Sequence, residues 1–283
     1  RKNQNLSKIL ARAGFLILMS EFSLARKSLD HLQRKMKRSL SLTKHQKDFL
    51  YLSHLYYVVS YYPASIRIIS DLRNKNKNFW REYPEEILIY FPKPYADIFS
   101  REGKKHNVDQ SLLFALTRQE SAFNKRAESF VGASGLMQLM PHTSKRFLPS
   151  KSKTTAALKL DLKDPQLNIQ LGSSYLNFLS SRYLKTPEAA IAAYNAGEYT
   201  VDIWLKRRRP AKRLTWLELI PFGETRNYTQ RVLRNQRIYK DLLQEKTFLS
   251  RFHSLIFKQV IQRQKFLDKE LRLSLKEKAS IMQ

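Results

Sequence analysis

The 283-residue chain has no cysteine, which excludes disulfides and thiolate metal sites. Glycine is nearly as scarce: there are seven, none between positions 15 and 102 and none after 223. Prolines are sparse outside apparent element boundaries, and strand-like alternation is almost absent. A chain so poor in turn residues and period-two patterning reads as all-α. Acidic residues are also short, with 24 Asp+Glu against 52 Lys+Arg, a formal charge of +28. Folding does not need that imbalance. It implies attraction to polyanions, whether nucleic acid, an acidic lipid surface or an anionic wall polymer. No stretch approaches the roughly 18–20 apolar residues of a membrane span. His31, His45, His54, His106, His142 and His253 form no ligand-spaced pair, so neither a metal nor a cofactor is expected. The chain opens on Arg1 with no visible signal peptide, which reads as a processed or truncated chain.

Three regions are expected. Residues 1–78 carry apolar residues at helical spacing (Leu6, Ile9, Leu10, Ala13, then Phe22, Leu24, Ala25, Leu29, Leu32), and Pro63 marks a helix end or start. Two antiparallel hairpins of about 35 residues each read as a fragment of an α-solenoid, without a shared consensus. The polar stretch "NKNKN", Asn74 to Asn78, is the expected boundary. From 79 to 245 the helix boundaries become explicit. Asp109 caps a helix from Gln110, with Val108 and Leu113 in staple positions. Asp164–Pro165 and Thr186–Pro187 open two more helices, and a fourth starts near Thr225. Residues 246–283 form a basic amphipathic extension, stepping Leu249, Phe252, Ile256, Val260. It reads either as a helix docked on the chain itself or as a surface helix held by an anionic envelope.

In "RQESAFNKRAESFVGASGLMQLMP" a lone carboxylate, Glu120, falls inside the leucine stripe of its helix: with Leu112 at zero, Leu116 lies at ~40°, Glu120 at ~80° and Leu113 at ~100°. Desolvation there disfavours the charged form and raises the pKa, as a general acid near neutrality requires. A surface or capping role is the plainer alternative for a Glu at a helix end. In the loop that follows, Gly132 and Gly135 permit unusual backbone and close approach to a ligand. Gln138 offers an amide, and Met137 and Met140 offer soft apolar walls. "AAIAAYNAGEYTV" ends an alanine-rich helix at Tyr194 and Asn195, and "LIPFGETRNYTQRVL" adds Glu224, Arg226 and Tyr228. Glu224 paired with an arginine such as Arg226 is the structural alternative there. Four of the seven glycines sit in these three stretches, which implies special backbone geometry.

Together, "RQESAFN", "VGASGLMQLMP", "AAYNAG" and "IPFGETRNY" resemble, in order and separation, the soluble lytic transglycosylases that cleave bacterial peptidoglycan. The resemblance covers about 79–240 well and 1–78 more faintly. It implies an all-α fold: a lysozyme-like catalytic domain preceded by an antiparallel helical-hairpin segment, the end of the family's α-superhelix. It also implies that Glu120 is first the acid and then the base in a non-hydrolytic cleavage between N-acetylmuramic acid and N-acetylglucosamine. By the same resemblance Tyr194 and Glu224 support the acid and the bound sugar, Ser134, Gly135, Met137, Gln138 and Asn195 line the groove, and Ser121 and Arg226 assist. The implied partner is the peptidoglycan glycan strand, with other anionic envelope polymers or a membrane surface as further partners and no specific nucleic acid. The implied location is the periplasm or cell envelope. The basic run Lys206 to Arg213 and the tail depart from the family pattern and leave open whether the glycan is the only partner. Competing readings are a hydrolytic muramidase on the same fold, a polyanion-binding helical protein, and an idle scaffold for envelope proteins.

Overall fold

The computed structural model describes residues 2–148, 161–184, 186–207 and 213–244. Among these the secondary structure is helical, with two isolated antiparallel bridges, Glu128 with Ser134 and Ser134 with Leu139. The all-α expectation holds. The chain divides into two compact units between Pro92 and Lys93, beyond the polar stretch at Asn74–Asn78 that the sequence marked. The tail 246–283 and most of the basic run at 206–213 lie outside the described residues.

The first unit is two helical hairpins, Lys2–Leu18 with Phe22–Ser39 and Gln46–Val58 with Tyr62–Lys75, followed by the short helical pieces Phe79–Glu82, Pro84–Glu86 and Ile87–Tyr90. Both hairpins close by the same device. Ser20 and Ser60 take left-handed backbone, φ 59 and 57. The next residues, Glu21 and Tyr61, donate to the carbonyls of Leu16 and Tyr56, 2.8 and 2.9 Å away. This is a Schellman closure with serine where glycine is usual. The repeat is therefore real in the backbone although no consensus marks it in the sequence. The buried stripe of the second helix is Ala25, Leu29, Leu32 and Met36; Phe22 and Leu24, expected in it, are exposed. In the second hairpin the Ser53 and Ser65 hydroxyls meet at 3.1 Å, small polar side chains that let the two helices approach closely.

The second unit is Lys93–Glu245. Its helix Gln110–Ser121, called here the acid helix, starts where the sequence says: Asp109 Oδ1 accepts from the Ser111 backbone N–H at 2.8 Å, and Val108 and Leu113 are buried. It stops abruptly. Ala122 and Phe123 both have positive φ, 49 and 63. Two consecutive non-glycine residues in that region cost about 1–2 kcal/mol each. Burial of the Phe123 ring, 6.1 Å from Phe114, offsets much of it. Phe114 also stacks on Tyr239 at 5.2 Å, joining the acid helix to the long helix Gly223–Gln244. Thr225, Tyr228, Val232, Asn235 and Tyr239 form the buried stripe of that long helix, at helical spacing. In the helix Pro187–Ala196, Ala189, Ala190, Ala192 and Ala193 are all buried, because it touches three other helices, Pro165–Arg182, Glu198–Arg207 and Gly223–Gln244. Methyl side chains are what three such neighbours leave room for.

One buried amide holds the loop after the acid helix. Asn168 donates to the carbonyls of Leu162 and Ser134, at 2.8 and 3.1 Å, and accepts from the Met137 N–H at 2.8 Å. Gly135, φ +81, lies against it; a Cβ there would stand 2.0 Å from the Leu162 oxygen and 2.2 Å from Asn168 Nδ2. Replacing Asn168 by Ala would leave these buried backbone groups without their partner, each costing about 1 kcal/mol or more. Asn168→Ala is expected to lower stability by about 3 kcal/mol in urea unfolding; a loss under about 1 kcal/mol would show that the loop is held by other means.

Candidate active site

The Glu120 side chain lies in the last turn of the acid helix, half-buried. The Tyr228 hydroxyl, one turn into the long helix, donates to its Oε1. Burial pushes the Glu120 carboxyl up to about 7, and the Tyr228 hydrogen bond pulls back against that rise. The Tyr228 phenol is among the groups packed against it. Tyr194 and Tyr228 both sit close enough for the Glu120 charge to act on them; burial first, then that charge, hold both hydroxyls far above the ordinary tyrosine range. Both therefore remain donors. Tyr194 gives its proton to the Met137 carbonyl at 2.9 Å, and its ring lies 5.1 Å from that of Tyr175.

A second carboxylate stands behind this tyrosine group in the opposite state. Glu198 Oε1 meets Arg146 Nη1 at 2.6 Å, and its Oε2 accepts from the Tyr175 hydroxyl at 3.1 Å. Burial would raise its pKa, but the Arg146 and Tyr175 hydrogen bonds, a backbone one and the guanidinium charge outweigh it and hold the group below the usual carboxylate range.

The other residues singled out in the sequence fall into two sets. Ser121 donates to the Leu136 carbonyl at 2.6 Å and fastens the loop to the end of the acid helix. Ser134, Gly135 and Met137, expected along the groove, have buried side chains or backbone. Ser134 carries both backbone bridges, Gly135 makes the close turn against Asn168, and Met137 packs its sulfur against Gly172, where a Cβ would stand 2.3 Å away. Gln138, φ 48, turns its amide inward, donating to the Gly135 and Ala127 carbonyls at 2.9 and 3.2 Å. Asn195 is exposed at its helix end and accepts from Thr225 at 2.7 Å. Glu224 is exposed. Arg226 does not pair with it; its Nη1 donates to the Ile220 and Glu218 carbonyls, at 3.2 and 3.3 Å, closing the helix Arg213–Glu218. Sequence reasoning passed over Asn168, Tyr175 and Glu198, and it quoted Tyr228 without giving it a role. The helical stripe Thr225–Tyr228–Val232 was the signal that could have turned that phenol inward.

Residues 97–217 match the family model described as "Transglycosylase SLT domain". That match covers 121 of the 283 residues, somewhat under half of the chain. A second model, "Soluble lytic transglycosylase helical domain", matches residues 219–247, after the SLT domain and not over the first hairpins. The soluble lytic murein transglycosylase of Salmonella typhimurium is 37% identical over 160 residues, 56% of this chain and 25% of that protein. The chain thus spans about a quarter of the length of such curated relatives. Among solved structures, an inactive mutant of the lytic transglycosylase Slt from Pseudomonas aeruginosa aligns with TM-score 0.64 and 32% identity, over 84% of this chain and 37% of that one. The 70 kDa soluble lytic transglycosylase of Escherichia coli gives TM-score 0.64 and 28% identity, over 86% and 37%. Coverage that broad includes part of the first two hairpins, so the fold is the lysozyme-like domain with helical-hairpin segment that the sequence implied.

The buried acid of the SLT domain carries a stability cost that pH can read. A carboxyl raised from 4.5 to about 7 in the folded chain binds its proton more tightly folded than unfolded. Stability therefore falls as pH rises through that window, by at most about 3 kcal/mol. Glu120→Gln, which cannot ionise, is expected to be more stable than the parent by about 1–3 kcal/mol at pH 8 and nearly equal to it at pH 4. Parallel unfolding curves at both pH values check this; an equal effect at the two would mean the carboxyl titrates normally.

Proposed function

We propose that the chain is a lytic transglycosylase that cleaves peptidoglycan without water, with Glu120 as its single acid and base. The observation that carries the reading is the state of Glu120: a half-buried carboxyl raised to about 7, held by Tyr228, with no other carboxylate among the groups that shift it. Glycosidases ordinarily use two carboxylates, one for proton transfer and one for water or the nucleophile. A single acid near neutrality suits a reaction that needs no activated water.

Glu120 gives its proton to the oxygen bridging N-acetylmuramic acid to N-acetylglucosamine as the bond from C1 to that oxygen breaks. The acetamido group of the muramoyl sugar stabilises the positive centre at C1. Glu120, now ionised and steadied by the Tyr228 donor, takes the proton of the C6 hydroxyl as that oxygen closes on C1. The acid is restored, and the muramoyl end is a 1,6-anhydro ring. The matched family and the names of its relatives support this reaction class. One of the solved neighbours is an inactive mutant in which a glutamate is replaced by glutamine. The substrate implies work in the cell envelope or periplasm, where a +28 chain would be attracted to an anionic wall.

Mass spectrometry of muropeptides released from purified sacculi tests the reading. Anhydro ends, one water lighter than reducing ends, are expected; reducing ends would make the chain a hydrolytic muramidase instead. Glu120→Gln is expected to lower turnover by a factor of about 10² to 10⁴, the typical range for a general acid. For the parent, kcat/KM should fall as pH rises through about 7. Removing the hydroxyl in Tyr228→Phe removes the interaction that lowers the Glu120 pKa, so this limb should move to higher pH. A limb that stays in place would assign it to another group.

A further inference from the structure

The loop leaving the acid helix holds more apolar surface in water than its own packing uses. Phe130 is 107% exposed and Val131 73%. They do not sit on a slack tip. The Ser129 N–H donates to the Ala133 carbonyl at 2.9 Å, the Gly132 N–H to the Ser129 carbonyl at 3.0 Å, and the Ala133 N–H to Ser129 Oγ at 2.9 Å. Gly132 supplies the positive φ, +91, that this turn requires. Below it Glu128 bridges Ser134, and the Gly135 N–H reaches the Ala127 carbonyl at 2.9 Å. Side chains presented on so constrained a turn lose little freedom when they are covered. Large apolar groups kept in water on such a turn mark a contact surface.

The same loop is fastened to the site. Ser121, next to Glu120, bonds the Leu136 carbonyl, and Tyr194 bonds the Met137 carbonyl. From Leu136, which Ser121 holds, to Phe130 the backbone reaches at most about 20 Å, so the tip stands within a few sugar units of a glycan bound at Glu120. Lys125 and Arg126 are exposed on this loop and form no ion pair in the described structure, whereas Glu128 is compensated by Lys163 at 3.5 Å. The loop thus offers two apolar side chains beside two uncompensated cations.

We propose that this loop reads the peptide stems of the glycan strand: Phe130 and Val131 pack on stem methyl groups, and Lys125 and Arg126 attract stem carboxylates. The inference rests on the glycan-cleaving reading and adds to it the part of the substrate that bare sugar lacks. A pyranose face can stack on Phe130 and a lactyl carboxylate of a stripped strand can meet a cation, but neither covers Val131 as well. An acidic, methyl-bearing peptide matches all four.

The test compares turnover on intact sacculi with turnover on glycan strands stripped of their stems by an amidase. In Phe130→Ser/Val131→Ser the ratio of the two rates should fall about tenfold, the effect of losing one partly buried apolar contact. Phe130→Leu, which keeps the apolar surface, should recover most of it. A second readout does not depend on turnover: in a Glu120→Gln background the double variant should co-sediment less with stem-bearing sacculi and no less with stripped strands. A ratio and a sedimentation difference that both stay at the parent's values would overturn the inference while leaving cleavage by Glu120 intact. Absence of cleavage by the parent on either substrate would instead sink the reading of the reaction.

Discussion

The second unit is organised around one unfavourable placement: a carboxyl at the C-terminal end of a helix, taken largely out of water. Burial and the negative end of the helix dipole both oppose its ionisation. The fold tolerates this because the group can stay protonated at neutral pH and because Tyr228 gives it a hydrogen bond in either state. Much of the surrounding architecture serves that placement. The long helix brings Tyr228 in on the stripe that also buries Val232 and Tyr239. The alanine-rich helix comes close enough to set Tyr194 beside the acid. The abrupt left-handed stop at Ala122 and Phe123 turns the chain so that Ser121 can fasten the next loop.

That loop explains where a glycine-poor chain uses its glycines. Gly135 is needed because a Cβ would collide with a carbonyl and with the Asn168 amide, and Gly172 because the Met137 sulfur occupies the space. Asn168 then closes the arrangement with three hydrogen bonds to backbone groups. The motif residues between Ser134 and Gln138 are thus mainly the frame of the site. Their side chains are committed inward.

How far the site was legible follows from this division. Helix starts set by local chemistry, at Asp109, at Asp164–Pro165 and near Thr225, could be read directly, because a cap depends on residues two or three positions away. The position of Glu120 on its helix was legible for the same reason. Which side chains face it was not: Tyr228 comes from a residue 108 positions later, and only packing decides whether a phenol in "ETRNY" turns in while Glu224 stays in water. That Ser134, Gly135 and Met137 turn their side chains inward was not legible, because a motif records which residues stand together, not which way they face. The division after Pro92 was not legible either: the short helical pieces from Phe79 to Tyr90 belong with the hairpins before them, through contacts such as His54 with Glu86 at 2.7 Å that a polar stretch at Asn74–Asn78 does not announce.

Glu198 answers the strongest objection to a single-acid reaction, namely that a second carboxylate stands close by. Its ring neighbour Tyr175 touches Tyr194, so it is tied to the same group of side chains. Yet one of its oxygens is taken by Arg146 and the other by Tyr175, and its pKa is held low. Both oxygens already accept a hydrogen bond, one of them from a guanidinium that balances the charge, so this carboxylate is a weaker base than an unpaired one. Two carboxylates with opposed environments commonly divide the roles of acid and base between them. Here the opposition has a different use: the ionised member fixes Tyr175, Tyr175 borders Tyr194, and Tyr194 with Tyr228 encloses the protonated member. In the proposed reaction the chemistry then rests on the one carboxyl whose proton can leave and return.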